Sequence, residues 1–277
     1  MTTLTRCQPH LGTYVEITVS AETSDKVLIG ASNAAFSVIK KIDNLMSFHS
    51  EESELTMINK TASRQAVKIS SDTTFVIEQA LSLSKKTNGI FDITIAPQLI
   101  TNKLLPDHGL DLSETGTWED IMLSNGQIQF KQPVLLDLGG IAKGYAVDCA
   151  INAVDETIDI TVNAGGDLRM RPWRDKYISM RHPSSPQSLF IEAVMENCAS
   201  ATSASYYDST DSIIIPRNFL PNQLGCNNKS VTVFAETCLT ADALTKVAYL
   251  NPDMLRRNTF SGVRFASLDS DGAVTWD

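Results

Sequence analysis

No apolar run in this chain approaches the ~18 residues that a membrane-crossing helix needs, so no membrane span is expected. The opening stretch MTTLTRCQPHLGTYVEITV has no long apolar core and no small-residue cleavage site. The chain as given therefore reads as cytoplasmic, or as periplasmic where an export signal has been removed. No two cysteines form a C-x-x-C pair. Cys7, Cys149, Cys198, Cys226 and Cys238 are odd in number and scattered, which argues against a zinc site or a disulfide framework and for a reducing compartment. Positive charge is in deficit: 23 Lys and Arg against 32 Asp and Glu leave a formal net charge of −9. Such a surface repels phosphate backbones, so nucleic acid is not an expected partner. A small anionic ligand is still admissible, because one local site can be positive in an acidic protein. There is no internal repeat, no low-complexity segment and no Pro/Gly-rich linker.

With 277 residues, 43% of them hydrophobic and 20% charged, the chain has the composition of an ordinary globular protein with a real core. GTYVEITVS alternates and is rich in β-branched residues, so it predicts a strand. Apolar residues at Val27, Ala31, Ala34, Val38, Ile42 and Leu45 predict a helix with Ser24 as N-cap. Residues 72–87 predict a second helix, stopped by Gly89. Residues 101–125 read as a polar loop broken by Pro106, Gly109 and Gly116. A third helix is predicted over 142–154 and a fourth over TADALTKVAYL, with Thr240 the better N-cap candidate. Strands are predicted at IDITVN and near 176–181, 189–195 and 229–235, and a closing hairpin around Asp271-Gly272. Helices and strands mix without strict alternation. The expected class is α+β, with mixed sheets packed against helices in one domain spanning 1–277, built from two closely packed halves.

The chemistry concentrates at LLDLGGIAKGYAVD, residues 135–148. Glycines 139 and 140 permit a turn at positive φ and a close backbone approach by a ligand. The helix that follows aims free N–H groups and a positive dipole end outward, which favours phosphate. Lys143, in the first helical turn, opposes that dipole and so points to an anion nearby. Asp137, at the strand end, is placed to accept hydrogen bonds from a ribose or a base. The spacing is neither the dinucleotide-binding nor the P-loop pattern. NAGGDLR puts a second glycine pair before Asp167 and Arg169. In TADALTK, Asp242 and Thr245 lie three apart on one helical face, with Lys246 beside them. A carboxylate and a hydroxyl so placed can offer oxygens to Mg²⁺. Together these segments describe a nucleotide-diphosphate site.

The segments HLGTYVEI, MSFHSEESELTMIN, GIFDITIAP, DLGGIAKGYAVD, VNAGGDLR and ADALTK resemble, in order, those of the ApbE-type flavin transferases, the FAD:protein FMN transferases. The resemblance implies an ApbE-like, T-fold-like architecture. It also implies an enzyme that binds FAD with Mg²⁺, releases AMP and attaches FMN to a Thr or Ser hydroxyl of an acceptor flavoprotein in a redox complex. Carried over by motif, Asp137 and Lys143 would contact FAD, and Phe91 and Asp92 would line the flavin nucleotide. His49 would stand near the isoalloxazine, where the family often has a tyrosine, and Ile214 would make an apolar contact. Gly140 would give the metal a backbone carbonyl, and Asp242 and Thr245 its side-chain ligands.

The pattern breaks in ATSASYYDSTDSIIIPRNFLP. Where the family has H-x-x-D-P-x-T-G, Pro216 is kept, Ser212 replaces the histidine, Ile215 the aspartate and Asn218-Phe219 the Thr-Gly pair. Some members also have a hydroxyl where Lys246 stands, and Lys246 is an alternative contact to phosphate. No catalytic residue is assigned. His182 is the nearest other histidine in sequence, and beside Pro183 it reads as a loop residue. Two readings compete with transfer: an FAD pyrophosphatase that yields FMN and AMP, and a non-catalytic FAD-binding protein.

Overall fold

The computed structural model describes residues 1–112, 116–185, 190–204, 229–257 and 260–277. The chain divides into two compact units, one of residues 1–40, 143–213 and 222–277, the other of 41–142 and 214–221. The class is α+β, with every described strand pair antiparallel.

The first unit opens with β1 (Thr2–His10), β2 (Thr13–Ala21) and α1 (Asp25–Met46), whose end passes into the second unit. The second unit carries α2 (Glu54–Thr61), β3 (Val67–Lys68), α3 (Ser71–Lys86), α4 (Ala96–Thr101), β4 (Ile121–Ser124) and β5 (Gln127–Phe130). The first unit resumes with α5 (Ala142–Asn152), β6 (Asp159–Ala164), β7 (Asp167–Arg171), β8 (Tyr177–Arg181), β9 (Phe190–Val194) and β10 (Ala199–Ala204). It ends with β11 (Lys229–Ala235), α6 (Cys238–Leu250), α7 (Pro252–Arg256), β12 (Arg264–Asp269) and β13 (Val274–Trp276). No described helix is long and apolar enough to cross a membrane.

In the first unit eight strands form one sheet in the order β1-β2-β6-β7-β10-β11-β12-β13. Its register follows the alternation seen in the sequence. Val15, Ile17 and Val19 face Ala164, Val162 and Ile160 across β2 and β6, and all six are buried. A one-residue slip would expose that whole apolar row. The turn from β6 to β7 uses Gly165 (φ +65°) and Gly166 (φ +108°), and Asn163 Oδ1 accepts from the Gly166 N–H at 3.0 Å. A Cβ on Gly165 would lie 2.6 Å from Thr13 Oγ1, so both the conformation and the space call for glycine.

Helix α6 starts earlier than expected. Thr237, not Thr240, is its N-cap, and its side chain accepts from the Thr240 N–H. The cap three residues upstream is what carries Asp242 into the second turn. The helix is apolar on nearly every side, so Asp242 and Thr245 are buried among Ala241, Ala243, Leu244 and Val247.

In the second unit α3 is capped by Ser70 and stops as predicted, with Gly89 at φ +77° and its N–H on Ser84 O. The stretch expected to be a loop holds α4's last residue and, from Ile121, the strand β4, which pairs with β5 just beyond it. Their turn is Asn125-Gly126, with φ of 51° and 68°, the left-handed pair that a two-residue hairpin requires.

Candidate functional site

Within the first unit four charged side chains alternate in sign. Lys143, in the first turn of α5, donates from Nζ to Asp167 Oδ2 at 2.7 Å and lies 3.6 Å from Asp242 Oδ2. Lys246, one turn beyond Asp242 on α6, donates from Nζ to Asp242 Oδ1 and, at 2.8 Å, to the Asp242 carbonyl oxygen. The Gly144 N–H donates to Asp242 Oδ2 at 3.1 Å. Both carboxylates are closed off from solvent, at 5% and 0% exposure, while the lysines keep 29% and 35%. The cluster therefore pairs two partly exposed lysines with two buried carboxylates.

The electrostatics follow from that geometry. Burial works against the charge on Lys143, but Asp167 and Asp242 raise its pKa far above the ordinary lysine value, so it stays cationic. Burial also opposes the Asp242 carboxylate, yet Lys143 and Lys246 outweigh it and hold the carboxyl below its ordinary value. Burial and the neighbouring Asp242 charge instead push Asp167 up, against Lys143 and Lys246.

Thr245 does not face outward as a ligand would. Its Oγ1 donates to the Asp242 carbonyl at 2.7 Å, and it pairs with Ser203 Oγ at 2.7 Å. Among the described residues no group of three or more His, Cys, Asp or Glu side chains is arranged to hold a metal. The donor set around Asp242 thus misfits the magnesium ion that the resemblance implies. One carboxylate oxygen is taken by an ammonium, the other by a backbone N–H with a second ammonium close by.

Two further residues set this geometry, and the sequence reading missed both. Asp148, five residues after Lys143, accepts from the Cys238 and Leu239 N–H groups at 2.8 and 2.9 Å and from Arg169 Nη1 at 2.6 Å. It thereby satisfies free donors at the start of α6 and ties that helix to α5 and β7. Its signal was an acid in the middle of the apolar helix YAVDCAIN. Gly144 is the other. A Cβ there would lie 2.3 Å from Cys238 O, so only glycine lets α5 approach the start of α6. Burial pushes the Cys238 thiol well above its ordinary pKa, which disfavours the thiolate.

In the second unit hydrogen bonds through the main chain tie together the segments singled out by motif. The Asn59 amide donates to Leu136 O at 2.9 Å and accepts from the Leu136 N–H at 2.8 Å. The next residue, Asp137, donates its own N–H to Ile93 O at 2.8 Å. The segments GIFDITIAP and DLGG are thus laced together, and Asp92 and Asp137 flank the lacing. Asp92 Oδ1 accepts from the Thr94 N–H and Oγ1 at 2.8 and 2.7 Å. Gly139 does not use a positive φ; its missing Cβ instead leaves room for the Asp137 carboxylate, whose Oδ2 would lie 3.1 Å away. The Phe91 ring is buried. His49 is exposed, while the adjacent Phe48 stacks on His108, whose Nε2 lies 2.7 Å from Phe48 O. His182 Nδ1 accepts from the Ser184 N–H in its own loop. Gly140 ends the DLGG segment, in the turn just before α5, and Ile214 lies outside the described residues with the rest of 205–228.

Comparison with known proteins places this arrangement. The flavin transferase ApbE of Vibrio cholerae superposes with a TM-score of 0.80 at 22% sequence identity, over 100% of this chain and 96% of that one. The FAD:protein FMN transferase of Chlamydia pneumoniae is 28% identical over 262 residues, covering 84% of this chain and 80% of its own. That of Vibrio cholerae is 27% identical over 237 residues, 75% of this chain and 69% of its own. The ApbE family model matches residues 11–257, and the chain belongs to the ApbE family.

Proposed function

We propose that the protein is an FAD:protein FMN transferase. It cleaves the pyrophosphate of FAD and moves FMN to a Thr or Ser hydroxyl of an acceptor flavoprotein in a redox complex, with AMP as the other product. The observation that carries this reading is the pair of partly exposed lysines, Lys143 in the first turn of α5 and Lys246 on α6, pinned on Asp167 and Asp242 in an otherwise acidic chain. A site with that charge suits a diphosphate. The names of the relatives supply the substrate class.

In this reading the acceptor hydroxyl oxygen attacks the phosphorus on the riboflavin side. The bond from that phosphorus to the bridging oxygen breaks, AMP leaves with the bridging oxygen, and the hydroxyl proton passes to solvent. Lys143 and Lys246 neutralise charge on the phosphoryl oxygens, and the α5 N-terminus adds its dipole. Asp137 and Asp92, steadied by Leu136 and Thr94, hydrogen-bond the nucleotide. Phe91 lines the flavin nucleotide with Asp92, His49 stacks near the flavin and Ile214 contacts it. Magnesium, with Gly140, Asp242 and Thr245 as its ligands, is the part of the implied chemistry that this reading leaves out.

The test is to incubate the protein with FAD and a flavin-carrying acceptor domain, with and without Mg²⁺, and to measure AMP and in-gel flavin fluorescence of the denatured acceptor. AMP with a fluorescent acceptor band is expected. AMP without the band makes the protein a pyrophosphatase, and bound FAD with neither product makes it a binding protein. Absence of FAD binding overturns the reading.

A further inference from the structure

We propose that the Lys246 ammonium is a built-in substitute for a divalent cation, so that this site binds flavin dinucleotide without a metal. The inference rests on the flavin-dinucleotide reading of the same site.

A cation entering beside Asp242 would seek the oxygens that this residue presents, its carboxylate and its main-chain carbonyl. Lys246 Nζ already holds one of each, Oδ1 and O. The other carboxylate oxygen accepts from the Gly144 N–H and lies 3.6 Å from the Lys143 ammonium. The Asp242 side chain is fully buried, so it has no further open face. Thr245, the second oxygen donor on this helical face, spends its proton on the Asp242 carbonyl and is engaged by Ser203.

Charge balance points the same way. Asp167 and Asp242 supply two negative charges, and Lys143 and Lys246 supply two positive ones. A divalent ion added to that set would face two ammonium groups with no carboxylate left to neutralise it. Lys246 carries its charge on a side chain that is 35% exposed, which lets the same ammonium that satisfies Asp242 also meet a phosphate oxygen. The i, i+4 spacing on α6 makes the arrangement intramolecular, so no ion has to be captured from solution.

Mn²⁺ binding, followed by the loss of the free-ion paramagnetic signal, reads the site without any turnover. The wild-type protein, with and without FAD, should leave the Mn²⁺ signal unchanged, and its affinity for FAD should agree within about twofold between EDTA and excess Mg²⁺. Lys246→Thr, which removes the ammonium and restores an oxygen one turn from Asp242, should take up one Mn²⁺ in the presence of FAD and bind FAD more weakly in EDTA than in Mg²⁺. Stoichiometric Mn²⁺ uptake by the wild type, or FAD binding that EDTA abolishes and Mg²⁺ restores, would overturn the proposal. So would a folded Lys246→Thr protein that remains blind to Mn²⁺. The wild-type measurements decide the matter alone if the variant does not fold. Metal-indifferent FAD binding without AMP release would sink the transferase reading and leave this inference standing. AMP release that depends on a bound metal would do the reverse.

Discussion

The two units of this ApbE chain fix their functional side chains by opposite means. The first uses full charges, with Asp167, Lys143, Asp242 and Lys246 alternating and Asp148 clasping Arg169 and the first turn of α6. The second uses neutral hydrogen bonds, the Asn59 amide on Leu136 and the Asp137 N–H on Ile93. The ionic set depends on the ionisation of its carboxylates. The Asn59–Leu136 bonds and the Asp137 N–H bond involve no ionised atom. Buried charge is costly to leave unpaired, whereas a neutral pair loses only its own hydrogen bonds.

That contrast can be broken at its strongest point by Asp148→Ala. The change leaves Arg169 without its partner and two helix N–H groups without an acceptor, and should cost about 4 kcal/mol of stability in denaturant unfolding. A loss no larger than that from Asn59→Ala would erase the difference between the units. Asn59→Ala itself removes one donor and one acceptor from the buried Leu136 backbone, and should cost about 2 kcal/mol by the same measurement. The smallest effect is on pH dependence. Asp242 has a lowered pKa in the fold, so below the ordinary carboxylate value of ~4 the unfolded chain binds its proton first and stability falls with falling pH. Asp242→Asn should flatten that acid limb relative to wild type in unfolding measured across pH, while Asn59→Ala should leave the shape of the limb unchanged.

The elements legible in the sequence were those with a strong period and a clear stop. α1, α3, α5 and α6 carry apolar stripes, and β2, β6 and β11 carry β-branched runs. β1 escaped because it is an edge strand whose residues are half-buried or exposed throughout, with Pro9 near its end. β10, ASATSA, has little to mark a strand beyond small residues. α2 is only eight residues long and is carried by its Ser53 cap and by packing rather than by propensity. The β4–β5 hairpin was readable: Asn125-Gly126 between IMLS and QIQF is a turn signal, absorbed too readily into a polar loop.

At the site, Lys143, Asp242 and Thr245 were identifiable by type and helical spacing. Their partners were not, because Asp167 and Gly144 meet them across 24 and 98 residues of chain and only the fold sets those distances. Which cation Asp242 takes is the point that spacing leaves open, for a local reason. Lys246 sits one turn from Asp242, close enough to reach back to it, and spacing alone does not say which neighbour a carboxylate will take.

Where α5 and α6 meet, at Gly144 and Cys238, main chain rests on main chain. No rotamer intervenes to absorb a displacement, so a push on the tip of one helix is passed undamped to the first turn of the other. The spacing between the Lys143 ammonium and the Asp242 carboxylate is accordingly set where two backbones touch, and one methyl group of padding there would shift it.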